Sequence, residues 1–416
     1  RQRVELRPTP PQITPWGGLG TGVRVDNVQR VEDRFIELAV QREKPILSRW
    51  EARSDALRQA ELAYGEPSEG GLTALMDEFF TSWDDLASSP EDPGARESVV
   101  RVGVSLADAL ATTRQRLYSQ QEAMTAEVDD VISEANRLIR EMETLNRNIL
   151  SAQRNGLVPG DLEDRRDLVV ETLGELVGAS ATVEGNGTAT VRLGGRVIVQ
   201  NETATEIEFE RAVDRWPAIG GRALQGTELG GRAGGLLDAR DDDLAVQIRR
   251  LDEIAVDLAE KVNIAHRSGV DRHGDPALDF FVFEGLDQDR VERAAAGIRV
   301  NPRLRDDSSL VSAGRDGTPG DNTVALDIAA LRNDRHGPAG SLQVLVVDAG
   351  ARAAHAEDLA VGQRVVVDSF VAQRESISGV SLDEEGAALL KYQRSYQAAS
   401  QVIATADEML QTLLSI

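Results

Sequence analysis

The chain has 416 residues, with 70 acidic side chains against 46 basic ones and a formal net charge of −24. That balance argues against nucleic acid or a membrane as partner, because both surfaces repel like charge. The absence of cysteine excludes disulfides, thiolate nucleophiles and Cys-based metal sites, and four histidines nearly exclude a multi-His metal enzyme. Aromatic residues make up only 4%, thin for an enzyme pocket, whereas Ala, Leu and Val suit long packed helices. No apolar stretch approaches the ~18 residues of a membrane span. The chain starts at Arg1 rather than Met, so a native start is expected upstream.

In chain order, Gly17–Gly22 (GGLGTG) has the look of a phosphate cradle but lacks G-x-G-x-x-G spacing and a following Gly-Lys-Ser/Thr. It reads as tight turns before an extended Val23–Val28. A helix is expected over Asn27–Tyr64, kinked or broken at Pro45. A second helix is expected from about Ser89 to Ala152, capped by Ser89 or Asp92 with Pro90 or Pro93 at its first position. Its stripe runs Val99, Val102, Leu106, Ala109, Leu117, then Met124, Val128, Val131, Ala135, Leu138, Met142, Leu145, Ile149. The skip near Thr113 reads as a stutter between heptad frames. Such a helix is a rod roughly 90 Å long.

Thr182–Phe209 alternates around Gly194–Gly195, a hairpin signal. A third helical stripe runs Leu237, Leu244, Ile248, Leu251, Ala255, Leu258, Val262, Ala265, interrupted only by Asp241, which is expected near a helix amino end. Asp271–Asn322 reads as turns with short apolar pieces at Phe280–Phe283 and Ile298–Val300. Leu342–Asp348 is readable as strand or helix, and its context before Asp358–Gln373 favours helix. The tail, Leu382–Leu414, repeats without a break: Leu389, Tyr392, Tyr396, Ala399, Ile403, Ala406, Leu410 and Leu413, with Ser381 and Glu384 as a capping-box pair. These eight residues are the candidate assembly interface; the same seam is also readable as an intramolecular coiled coil.

The fold class expected is α+β: long heptad helices from both ends of the chain packed as a coiled-coil rod, with β-rich or mixed domains inserted in the middle. The segments are 1–64 (extended segment and helix), 65–180 (rod), 181–232 (β-rich insert), 233–270 (rod helix), 271–335 (mixed insert), 336–380 (return helix) and 381–416 (heptad helix). Candidate chemistry is sparse. His266, Asp271, His273 and Asp275 crowd as hard metal ligands would, or simply end a helix and turn. Asp238, Asp241, Asp242 and Asp243 lack the alternation and Gly of a calcium loop and read as an acidic helix start. Ser105 and Ser381 lack the second Gly of a nucleophile elbow. No catalytic residue, cofactor or metal is assigned, and the chain is not expected to be an enzyme.

At this point the residues resemble a family. Gly379-Val-Ser-Leu-Asp-Glu-Glu, Leu390-Lys-Tyr-Gln-Arg-Ser-Tyr-Gln-Ala-Ala and Val402-Ile-Ala-Thr-Ala-Asp-Glu-Met-Leu are similar to the C-terminus of the flagellar hook-associated protein 1 family. Arg1-Gln-Arg-Val, Gly22-Val-Arg-Val through Asp33-Arg-Phe-Ile-Glu, Leu162-Glu-Asp-Arg-Arg-Asp-Leu and Gly320-Asp-Asn-Thr resemble other stretches of it. Its internal signature is matched by Gly235-Leu-Leu-Asp-Ala-Arg-Asp, then Asn263-x2-His266-x2-Gly269-x-Asp271-x2-Gly274 and Phe280-Phe281. The tail motif is shared in part by hook and rod proteins, which the internal signature separates from this family. Two departures stand out: the family's first helix, which pairs with the C-terminal helix, is absent before Arg1, and Gly386 follows Glu385 where a better helix former is expected.

The resemblance implies an extracellular structural protein of the bacterial flagellum, connecting hook to filament and secreted through the flagellar type III apparatus. The partners it implies are the flagellar hook protein, a second hook–filament junction protein, an export chaperone on the C-terminal helix, and further copies of the chain in a ring. The competing readings are a non-flagellar coiled-coil adaptor and a metal-dependent enzyme using the middle insert.

Overall fold

The computed structural model describes residues 2–414 except 11, 15–16, 20, 31–32, 67, 69, 156, 158, 212–214, 286–290 and 380–381. For residues 2–6, 12, 14, 17–19, 25–30, 382, 384 and 413–414 it describes the backbone element alone. Strand β1 (Gln2–Pro8) pairs antiparallel with β4 (Val23–Arg30), and β2 (Gln12–Thr14) with β3 (Gly17–Leu19). The start of the glycine run thus lies in a hairpin, and Gly22 takes a left-handed φ of +102° that a side chain would strain.

Helix α1 spans Arg34–Glu61, so the helix expected from Asn27 begins later. Val23–Arg30 is strand, and the Asp33 carboxylate caps the helix by accepting from the Phe35 and Ile36 amides. Pro45 does not break it. The pyrrolidine ring sits over Gly174 of a neighbouring helix, where a Cβ would lie 3.1 Å from Pro45 Cγ. Tertiary packing here outweighs the helix-breaking tendency of proline.

Helix α2 (Leu72–Ser88) buries Met76, Phe79, Phe80, Trp83 and Leu86. Helix α3 (Pro93–Arg154) is 62 residues long, capped by the Asp92 carboxylate on the Gly94 amide with Pro93 at its first position. Its seam continues through the region of the expected skip. Leu110, Thr113, Arg114, Leu117 and Gln121 are all buried, whereas Ala109 is only half-buried. Sequence reading passes over Arg114 and Gln121 because their partners, Asp252 and the Arg240 carbonyl, come from elsewhere in the chain.

Helix α4 (Gly160–Val177) turns back along α3 and leads into a four-stranded antiparallel sheet, β5 (Ser180–Val183), β6 (Ala189–Leu193), β7 (Arg196–Gln200) and β8 (Thr203–Ala204), in chain order. Gly194 and Gly195, at φ +55° and +77°, make the β6–β7 turn that the sequence signals. The sheet lies on the flank of α3. Asn146 exchanges two hydrogen bonds of 2.9 Å with the Ala189 backbone, and Asn136 two of 2.8 Å with that of Ile207. Val191, Leu193, Ile198 and Val199 join the same apolar core as the helices. A small ribbon, β9 (Ala218–Ile219) with β10 (Arg222–Ala223), follows.

The next rod segment starts at Gly231 rather than Leu237. Helix α5 (Gly231–Asp238) passes through a π-helical turn, Ala239–Leu244, into α6 (Ala245–Arg267). A Cβ on Gly235 would overlap the Arg49 carbonyl of α1, so glycine lets the two backbones touch. The acidic run is therefore not a helix start but the middle of a continuous helix. Asp238 forms a two-pronged pair with Arg49 at 2.7 and 2.9 Å, and Asp241 pairs with the fully buried Arg240. Asp243, completely buried, holds Arg53 of α1 at 2.9 Å.

Beyond α6 come β11 (Phe281–Phe283), α7 (Ala294–Gly297), β12 (Ile298–Val300), α8 (Pro302–Asp306) and α9 (Thr323–Ala330), with β11 and β12 paired antiparallel as the two apolar pieces suggest. Helix α10 (Pro338–Ser378) takes in Leu342–Asp348, so the helical reading of that stretch holds. It runs antiparallel to α1, with Gln363 on Glu43, Arg364 on Glu51 and Arg374 on Glu37. Its Arg352 reaches Asp243 at 3.1 Å and Asp348 at 2.9 Å, and Asp348 takes Arg250 of α6. Helix α11 (Leu382–Leu414) ends the chain; Ser381 and the side chain of Glu384, the expected capping box, lie outside the described residues.

The Arg53–Asp243–Arg352 bridge yields a direct test. Removing the carboxylate leaves two arginines facing a buried site, which should cost about 3–5 kcal/mol. Asp243→Ala is expected to lower the urea midpoint sharply, while Glu134→Ala, which breaks an exposed pair with Arg137, is expected to leave it nearly unchanged.

Candidate assembly interface

The eight tail residues fall on one helix, α11, and seven of them have described side chains. Leu389, Tyr392, Tyr396, Ala399, Ile403, Ala406 and Leu410 repeat at three- and four-residue spacing and face solvent. Tyr396 is 76% exposed and Ile403 66%. Leu413 lies on the same helix, its side chain outside the described residues. From Asp383 to Thr412 the described side chains are exposed, except half-buried Ala388. Isolated exposed apolar residues are ordinary, but a continuous heptad stripe over about six turns is not.

The internal signature has a mechanical meaning. Asn263 and His266, one turn apart on α6, both reach the segment that follows the helix. Asn263 Oδ1 accepts from the Phe280 and Phe281 amides at 2.8 and 2.9 Å, and its amide donates to the Phe281 carbonyl. His266 is fully buried, with Nδ1 2.6 Å from the Leu278 carbonyl and Nε2 2.9 Å from the Ser312 amide. The carbonyl can only accept and the amide only donate, so the ring is neutral with its proton on Nδ1. Asp271 Oδ1 accepts from the His273 and Asp275 amides, closing a turn in which Gly274 sits at φ +86°. A side chain on Gly269 would collide with Ser312 and Gly314.

His266, Asp271, His273 and Asp275 are thus brought near one another as a turn, with both His266 nitrogens engaged by backbone. His273 is 3.1 Å from the Ser309 hydroxyl. Among the described residues, no group of three or more His, Asp or Glu is placed to hold a metal ion. Ser105 donates to the Arg101 carbonyl of its own helix at 3.2 Å, and Ser381 lies outside the described residues.

The anchored segment delivers Phe280 and Phe281 into the core beside Phe79, Trp83 and His266. A Cβ on Gly103 of α3 would meet the Phe280 ring at 2.9 Å, so that glycine seats the ring against the rod. Sequence reasoning misses the buried Asp252 of α6, which accepts from Arg114 at 2.9 Å and from the Arg293 and Ala295 amides at 3.0 and 2.9 Å. It also misses Arg240, whose guanidinium reaches the Arg215 carbonyl. The one available signal is that both lie next to stripe residues rather than opposite them.

No helix among the described residues is long and apolar enough to cross a membrane. Residues 57–281 match the family model described as the flagellar hook-associated protein FlgK helical domain, and residues 372–416 match the flagellar basal body rod FlgEFG protein C-terminal model. The chain is 25% identical over 462 residues to flagellar hook-associated protein 1 of Bacillus subtilis, covering 100% of this chain and 91% of that one. It is 25% identical over 521 residues to the protein of the same name from Salmonella typhimurium, covering 100% and 94%. The solved flagellar hook junction protein FlgK from Burkholderia pseudomallei superposes with a TM-score of 0.54 at 24% identity, over 59% of this chain and 46% of that one, a likeness of fold.

Burial lowers the His266 ring from its ordinary 6.5 to about 4, although the Leu278 carbonyl pulls the other way. A depressed value means that the native state favours neutral imidazole. Its contribution is complete above about pH 6.5 and is lost as pH falls towards 4, where the unfolded chain takes up the proton first. The loss amounts to roughly 2–4 kcal/mol. Urea titrations from pH 7 to 4 should show the stability of the wild type falling more steeply than that of His266→Gln; parallel curves would contradict this.

Proposed function

The chain belongs to the flagellar hook-associated protein FlgK family, whose helical-domain model covers more than half of it, and from that membership we propose how it joins its neighbours. It is a structural protein of the bacterial flagellum, at the hook–filament junction, and not an enzyme. It associates with components of the flagellar hook.

The α11 stripe is the contact surface for that association. The observation that carries this reading is its exposure: a helix with an apolar seam along about six turns, whose described side chains all face solvent. An amphipathic helix gains most of its stability from burying that seam, so association with matching helices supplies what the single chain lacks. Tyr392 and Tyr396 suit a seam with one wet edge, where the ring is covered and the hydroxyl stays hydrated. The neighbours proposed are the hook protein on one side, a second junction protein on the other, and further copies of this chain around a ring. Before assembly, an export chaperone covers the same helix, and the protein leaves through the flagellar type III apparatus. The acidic surface keeps it soluble once outside.

The metal-enzyme reading finds no support, because the His266 ring would have to abandon two backbone partners to bind a cation. The adaptor reading shares the helices but does not account for the internal signature.

Sedimentation with polymerised hooks tests the seam. The full-length protein should pellet with hooks, and Tyr396→Asp should lose most of that binding while keeping the wild-type thermal midpoint. Undiminished binding by Tyr396→Asp would remove the seam from the interface.

A further inference from the structure

Asparagine is followed by glycine at Asn155-Gly156 and at Asn186-Gly187, and only the second pair lies wholly within the described residues. The dipeptide is chemically labile, because a glycine without a Cβ leaves its backbone nitrogen uncrowded for attack on the asparagine side chain. Asn186 stands exposed in the turn between β5 and β6. The fold fixes the glycine beside it. Gly187 takes φ +72°, and a Cβ there would lie 2.5 Å from Gln153 Nε2 and 3.2 Å from Ile149 Cγ2 of α3.

The turn occupies the groups that the reaction needs. The Gly187 N–H, which carries the attacking nitrogen, donates to the Glu184 carbonyl at 2.9 Å, and the Glu184 amide donates to the Thr188 carbonyl at 2.8 Å. Asn186 Oδ1 accepts from the Thr188 amide at 3.2 Å and from its hydroxyl at 2.7 Å, an Asx turn. Thr188 has no exposed surface, and Arg166, itself buried, donates to the Gly187 carbonyl.

Ring closure joins Gly187 N to Asn186 Cγ, breaks the Cγ–Nδ2 bond and releases ammonia, which carries off the Gly187 amide proton. Water then opens the succinimide to aspartate or isoaspartate, and no other reactant is needed. The Gly187 N–H must first leave Glu184, and the carboxamide must leave Thr188 to swing onto the nitrogen. We propose that Asn186 is a conformation-gated deamidation site. It converts to acid only while the β5–β6 turn is open, so the acid found there records the time the turn has spent open. Aspartate can take the same two Thr188 donors, whereas isoaspartate adds a main-chain methylene to a turn packed against α3.

Incubation of the whole protein in mildly alkaline buffer, followed by peptide mass spectrometry, reads the rate at Asn186 with and without guanidinium chloride. The native rate is expected to be about thirtyfold below the unfolded one, the effect of opening a few hydrogen bonds first. Native and unfolded rates within about twofold of each other would overturn the gate. Thr188→Val keeps a branched side chain but removes the hydroxyl donor. It is expected to speed native conversion about fivefold and to leave the unfolded rate unchanged. An equal or slower native rate in Thr188→Val would also overturn the proposal, since the Thr188 hydroxyl would then not be restraining ring closure. Both measurements use the free protein and stand apart from its binding to hooks.

Discussion

Asp243 is a carboxylate with no exposed surface, and a charge in that position is tolerable only if paired. Its partners are Arg53 from α1 and Arg352 from α10, nearly 300 residues apart in the chain. The pairing sets the register in which the outer helices lie on the π-helical turn, and Asp348 extends it to Arg250 of α6. The apolar seams supply the driving force for packing these helices, but seams of Ala and Val slide at little cost. Buried charges do not. The close approach of α5 to α1 at Gly235 brings Arg49 and Arg53 within reach of Asp238 and Asp243.

A second anchoring system holds the other end. Asn263 and His266 spend their side chains on the backbone of the segment that follows α6, and that segment carries Phe280 and Phe281 to the rod. The residues most suggestive of a metal site thus act as fasteners. The same economy appears at Asn146, which ties the sheet to α3, and at Asn136, which ties down the segment just beyond β8. The result is a body most of whose buried polar groups are held by its own backbone or by one another, while the apolar face of α11 stands exposed among the described residues. A junction protein needs a stiff body, and these anchors help to provide one.

Periodicity placed the long helices of this protein and the β6–β7 hairpin, because a repeat of 3.6 or 2 residues is a local property, and it placed the tail on one helix whose stripe nonetheless faces solvent. The family resemblance was likewise legible, since a motif is read from residue types and spacing without knowledge of what each residue contacts. Tertiary structure decided the remainder. Pro45 stays inside α1 because Gly174 makes room for its ring, and Asp241 sits mid-helix because Arg240 and the π turn accommodate it. Arg114, Gln121 and Asp252 are buried because their partners arrive from other segments. A sequence shows the pattern of what must be covered; which distant group covers a buried charge depends on the packed arrangement, since pairing energy is realised only when both members leave water together.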